Sequence, residues 1–190
     1  MKLIGSTTSP YVRRIRLLLA ESDYEFVNLN IYGEGRDELR RNNPALKIPM
    51  LIDGEQEVYD SRVISRYLAQ KNGDAPLSWD QENQLTLIDA VNDSAVTLLL
   101  SKKSGIDVEQ DLMFYNLQRE RIMLSLRTLA AMVDAGEFAQ WHYPAICLYC
   151  MVDWLEFRES VDFTGVESLL SFRDANRERP MVGGTDPRDA

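Results

Sequence analysis

Apolar residues along this chain follow two different periods, and the change from one to the other divides it. In the first third they fall in short runs or alternate with polar residues. The runs are Lys2-Leu3-Ile4, then Val27, Leu29 and Ile31 separated by Asn28 and Asn30, then Ile48-Pro49-Met50-Leu51-Ile52, then Glu57-Val58-Tyr59. Such runs predict four short strands. Between the first two, Val12, Ile15, Leu18 and Leu19 recur at helical spacing and predict a helix over 10–21. Strand, helix and strand within about thirty residues make a βαβ unit, hence a parallel pair. Gly33 and Gly35 break the pattern, and a short helix over 36–41 stops at Asn42-Asn43-Pro44. Asp53-Gly54 turns the third strand into the fourth. Asp60 or Ser61 then caps a helix carrying Val63, Ile64, Tyr67 and Leu68. A proline at the head of the third strand ordinarily marks an edge.

Past residue 72 the strand period disappears. Residues 73–80 read as a linker, and helical spacing takes over at Leu85, Ile88, Val91, Ala95, Leu98 and Leu99. It continues over 108–135 with Leu112, Tyr115, Leu117, Ile122, Leu126, Leu129 and Met132, over the strongly apolar 144–157, and over 166–177. Residues 180–190 read as a polar tail. The expected organisation is an α/β domain over 1–72, a linker over 73–80, and an all-helical domain with its tail over 81–190.

Charge sharpens this division. Residues 1–72 hold 11 Lys and Arg against 10 Asp and Glu, whereas the remainder holds 10 against 20. A nucleic-acid binder needs a basic domain or stripe, and the acidic second part argues against one. No apolar run is long enough for a membrane span. Met1-Lys2 leads directly into a strand, and the chain has only two cysteines, so a cytoplasmic, reducing setting is expected.

The first candidate for chemistry is Ser9. With Pro10 behind it, Ser9 reads as an N-cap followed by proline at the first helical position. Free backbone donors, the positive end of a helix dipole and a hydroxyl converge there, which suits an anion such as a thiolate. Arg13, Arg14 and Arg16 share the helix and read as a solvated basic face that raises the local potential for an anion.

Four stretches, in their order and spacing, resemble the cytosolic glutathione transferases, with bacterial omega- and zeta-like members nearest. They are Ser9-Pro10-Tyr11-Val12-Arg13-Arg14-Ile15-Arg16, Asn43-Pro44-Ala45-Leu46-Lys47-Ile48-Pro49-Met50-Leu51, Asp60-Ser61-Arg62-Val63-Ile64 and Trp154-Leu155-Glu156-Phe157-Arg158. The resemblance implies a thioredoxin-like N-terminal domain joined to an all-α C-terminal domain. It implies reduced glutathione as cosubstrate, no metal, a homodimer, and no nucleic-acid or membrane partner. It makes Pro49 cis and assigns the main chain of Ile48 to the cysteinyl unit, added as a strand. Asp60 and Ser61 would take the γ-glutamyl end, and Lys47 the glycyl carboxylate. Ser9 would hold the sulfur as thiolate for attack on a small electrophile or a peroxide, with Thr8 and Tyr11 as fallback hydroxyls. A non-catalytic adaptor on the same fold, and a glutathione-dependent isomerase or dehalogenase, remain alternatives.

Two other features read as structural. Cys147-Leu148-Tyr149-Cys150 lies inside an apolar helical run, away from the strand-to-helix junction that a redox C-x-x-C occupies. His142 stands where the resembled family has a capping Ser or Thr, and Ala145 replaces the acidic residue three positions on. That helix must be capped in another way.

Overall fold

The computed structural model describes residues 1–189 and forms two compact units. One comprises Met1–Leu77 and the segment from Glu178 to Asp189, and the other Ser78–Arg177. The second unit begins within the expected linker, and residues 178–189 group with the first unit. Ala190 lies outside the described residues.

The first unit runs β1 (Lys2–Gly5), α1 (Pro10–Leu18), β2 (Glu25–Asn28), α2 (Arg36–Asn42), β3 (Met50–Asp53), β4 (Gln56–Tyr59) and α3 (Ser61–Asn72). Its sheet has the order β2-β1-β3-β4, with β1 parallel to β2 and antiparallel to β3, and β3 antiparallel to β4. The strand period sorts the side chains. Ile4, Met50, Val27, Ile52 and Tyr59 join Leu29 and Leu39 on one face, where α2 lies. Leu3 pairs with Leu51, and Leu51 with Val58, on the alternate positions, all three buried. Gly5 ends β1 where Val12 of α1 comes closest: a Cβ there would lie 2.4 Å from Val12 Cγ2, so only glycine admits the helix.

β3 is an interior strand although a proline heads its apolar run: it begins at Met50, so Pro49, cis as the resemblance implied, precedes the ladder and owes it no N–H. One sequence expectation is corrected here. The second strand stops at Asn28 although the alternation runs on to Ile31. Asn30 ends it by accepting from Gly33 N and Gly35 N on its carbonyl and from Tyr32 N on Oδ1.

The second unit contains α4 (Trp79–Lys103), α5 (Met113–Asp134), α6 (Tyr143–Phe157) and α7 (Glu167–Ala175). A reciprocal capping box opens α4: Ser78 Oγ accepts from Gln81 N, and Gln81 Oε1 accepts from Ser78 N. α6 is buried from Tyr143 to Leu155, as a helix apolar on all sides must be. Cys147 and Cys150 lie within it, fully buried and not joined in a disulfide. One acidic residue of α6 is buried with them. Asp153 is answered from α7 by Arg173, whose Nη1 lies 3.3 Å from Asp153 Oδ1 and whose Nη2 donates to Glu156 Oε1 at 2.9 Å. Among the described residues, no helix is long and apolar enough to cross a membrane.

His142 is the N-cap of α6. Its Nδ1 accepts from Ala145 N at 3.4 Å, and Trp141 packs edge-on against Tyr149 beside it. The imidazole thus replaces the missing hydroxyl cap, and it does so only while Nδ1 is unprotonated. Burial holds its pKa below the ordinary value of 6.5, against a smaller opposing effect of its own backbone hydrogen bond. As pH falls below about 6.5 the unfolded chain takes up this proton first, so stability is lost until the folded imidazole also protonates. His142→Asn, which caps without titrating in this range, is expected to flatten the change in denaturation midpoint between about pH 7 and pH 5. A profile unchanged from that of the natural chain would remove His142 as the titrating group.

Candidate functional site

The register of the sheet gathers the candidate residues at one end. Ile4 is opposite Met50, and Met50 is opposite Tyr59. The chain leaving β1 after Gly5, the chain entering β3 before Met50 and the chain leaving β4 after Tyr59 therefore emerge side by side. The first carries Ser9, the second Lys47, Ile48 and Pro49, and the third Asp60 and Ser61. All three segments belong to the first unit.

Segment 6–9 is bonded to itself and to β2. Ser9 N donates to Ser6 O, Thr8 N donates to Ser6 Oγ, the Ser6 and Thr8 hydroxyls lie 3.2 Å apart, and Thr7 N donates to Asn28 Oδ1. Ser9 is in extended conformation, caps α1, and accepts from Val12 N at 3.3 Å. A hydroxyl has one proton to donate and two lone pairs. Capping uses a lone pair, so the proton stays free to point at an acceptor beyond the helix end. Of the other two hydroxyls, Thr8 bonds Ser6, and the Tyr11 ring lies under the Arg14 guanidinium at 5.0 Å.

The basic face expected on α1 is absent as such. Arg13 and Arg14 are only 3% and 1% exposed. Arg13 Nε donates to Thr185 Oγ1 at 3.2 Å and Nη2 to Val182 O at 3.0 Å, while Arg16 Nη2 donates to Gly184 O. The tail takes up Arg13 and Arg16, and Arg14 is buried against Tyr11, so packing more than solvation sets their roles.

The second segment is shaped by Asn43, which the sequence reading used only as a helix stop. Asn43 is 1% exposed; its Nδ2 donates to Lys47 O at 2.7 Å and its Oδ1 accepts from Ala45 N at 2.9 Å. The available signal was Asn followed by Pro, a turn initiator whose side chain bonds the backbone two residues on. The Asn43 bonds close the loop, with Leu46 at φ 55°, and deliver Ile48 to a cis bond with Pro49. Ile48 is half-buried and lies beyond both ladders; Lys47 is exposed.

Asp60 holds the third segment. Its backbone has φ 74° and ψ 137°, a region that non-glycine residues enter at a cost of about 1–3 kcal/mol. Its Oδ1 accepts from Arg62 N at 2.8 Å and from Val63 N at 3.4 Å, capping α3. Both bonds fall on one oxygen, Oδ1. Ser61, the first residue of α3, is buried. Two helix amino ends, α1 and α3, thus frame the sheet end with partial positive charge. No group of three or more His, Cys, Asp or Glu among the described residues is placed to hold a metal ion.

Residues 3–76 match the family model described as "Glutathione S-transferase, N-terminal domain". The Uncharacterized GST-like protein YibF of Escherichia coli (strain K12) is 30% identical over 172 residues, covering 83% of each chain. Glutathione S-transferase Z1 of Arabidopsis thaliana is 30% identical over 132 residues, 67% of this chain and 57% of that protein. Among solved structures, a glutathione S-transferase from Methylobacillus flagellatus with glutathione bound superposes with a TM-score of 0.83 at 26% identity, over 98% of both chains.

Proposed function

Since the chain belongs to the glutathione S-transferase family and has its fold, we propose that it binds reduced glutathione at this sheet end and holds the sulfur as thiolate. The thiolate then attacks a small electrophile or a peroxide. The observation that carries the reading is that the segments carrying Ser9, Ile48-Pro49 and Asp60-Ser61 leave the sheet at the same end, next to the paired Ile4, Met50 and Tyr59. Glutathione is a short peptide with an ammonium and carboxylate at one end, a thiol in the middle and a carboxylate at the other. The main chain of Ile48, beyond the ladders, suits an added strand. Asp60 Oδ2 suits the ammonium, with the α3 amino end and Ser61 for the adjoining carboxylate. Lys47 suits the glycyl carboxylate.

The thiolate is the nucleophile, and a free thiol of this kind has a pKa near ~8.5. The Ser9 proton and the α1 amino end both favour the charged form, and each unit of lowering corresponds to ~1.4 kcal/mol. Serine forms no mixed disulfide, so the chemistry is activation of the cosubstrate, without a covalent enzyme intermediate. The relatives solved with glutathione bound support the choice of ligand.

The test is a calorimetric titration with reduced glutathione, with ultraviolet detection of bound thiolate near neutral pH. Binding with a thiolate signal is expected. Absence of binding at millimolar ligand would overturn the reading and favour a protein-binding role for the fold. Asp60→Ala is expected to weaken glutathione binding roughly tenfold, the order of one charge-assisted hydrogen bond. Loss of the α3 cap should lower stability by about 0.5–2 kcal/mol as well. Unchanged affinity in a folded Asp60→Ala protein would take Asp60 out of the site.

A further inference from the structure

Residues 178–189 return to the first unit after the whole helical segment and end in two single 3-10 turns, Gly183–Thr185 and Pro187–Asp189. We propose that this segment is a strap that fixes the amino end of α1, and that Arg13 is a positioning residue for Ser9. The second half of that statement rests on the reading of Ser9 given above.

α1 is nine residues long, too short to be stable alone, so its position is set by what it touches. Val12, Ile15 and Leu17 bury its apolar side and settle which face meets the sheet. Apolar contact is not directional, however, and leaves sliding along the axis weakly opposed. Directional bonds to the strap oppose it. Arg13 grips the strap at two residues three apart, Val182 through its carbonyl and Thr185 through its hydroxyl. The Thr185 hydroxyl is itself fixed, lying 2.8 Å from Met181 O. One turn further along, Arg16 reaches Gly184 O, and its guanidinium stacks 4.5 Å from the Phe26 ring of β2. Arg13, Val182 and Thr185 are all buried, where water does not compete for these bonds.

Arg13 is also coupled directly to Ser9, since Arg13 N donates to Ser9 O at 3.0 Å. A shift of Arg13 is therefore passed to the residue whose hydroxyl faces the sulfur. Stabilising an anion depends on donor position to within about half an ångström, so a small release of α1 weakens thiolate stabilisation before it weakens binding.

Thr185→Val removes the hydroxyl and keeps the shape, Thr185→Ser keeps the hydroxyl, and Arg13→Lys removes the fork while keeping the charge. In the full chain, Thr185→Val and Arg13→Lys are expected to cut kcat roughly tenfold with KM for glutathione within about twofold, as for the loss of one buried charge-assisted bond. The bound thiol should titrate at higher pH in both, and Thr185→Ser should restore both values. Amide exchange at Val12 and Arg13 should quicken roughly tenfold in Thr185→Val while the β3 amides keep their rates. Natural kcat, thiol titration and α1 exchange in a folded Thr185→Val or Arg13→Lys protein would overturn the proposal. If the natural chain binds glutathione without forming thiolate, the reading of Ser9 has failed. The strap then stands or falls on the exchange rates alone. Should Thr185→Val not fold, Arg13→Lys carries the same readouts.

Discussion

Ser9→Ala is expected to lower turnover with glutathione about a hundredfold while its dissociation constant stays within about threefold. The hydroxyl proton gains most when the sulfur is charged, so its removal falls on the thiolate and hardly on the rest of the tripeptide. Ser9 also caps α1 through the bond from Val12 N, so the same variant should lose about 0.5–2 kcal/mol of stability. The two effects separate with further substitutions. Ser9→Thr keeps cap and proton and should retain most turnover. Ser9→Asp keeps the cap but sets a negative charge beside the sulfur, so it should recover stability without recovering turnover. Equal losses in turnover and affinity for Ser9→Ala would refute the thiolate role.

The largest effect on stability is expected at Arg173. Its side chain and that of Asp153 are each only 5% exposed, and hydrogen bonding to Glu156 is the main influence raising its pKa further. Arg173→Ala leaves Asp153 buried opposite a lost cation, which costs about 3–5 kcal/mol. For a chain of this size that corresponds to a fall in melting temperature of about 10 °C. Adding Asp153→Asn removes the buried carboxylate charge and should recover part of the loss, which a double-mutant cycle measures. A loss under about 1 kcal/mol for Arg173→Ala alone would place the pair outside the features that hold α6 and α7 together.

What was legible in the sequence was whatever is decided locally. The period of two at Leu3-Ile4, Met50-Leu51-Ile52 and Val58-Tyr59 reports which face each side chain takes, and those strands formed where it said. Ser9-Pro10 and Asp60-Ser61 are caps whose chemistry is contained within four residues, and both helices start there. The strand pattern failed at Ile31 because alternation records burial and not pairing. Leu29 and Ile31 pack onto the core on either side of Asn30, which turns the chain out of the ladder. Pro49 was legible only through the resemblance, which implied the cis bond found there; the apolar run itself begins two residues before the ladder does.

The arginines of α1 were illegible for a different reason. Nothing near Arg13 indicates that its partners are Val182 and Thr185, about 170 positions away. A basic residue at a given helical position looks alike whether water or a distant segment covers it. Asn43 is intermediate, since its turn was readable but its burial and its grip on Lys47 O depended on how the loop closed.

The return of residues 178–189 to the first unit has a consequence for synthesis. A chain leaving the ribosome presents the whole sheet, α1 and α3 early, and then all of Ser78–Arg177, before Val182 and Thr185 emerge. The helical unit is fully synthesised while the α/β unit still lacks the groups that hold Arg13. Although its strands come first in the sequence, the α/β unit is completed after the helical one, and its helix amino end settles only once residues 182–185 have been made.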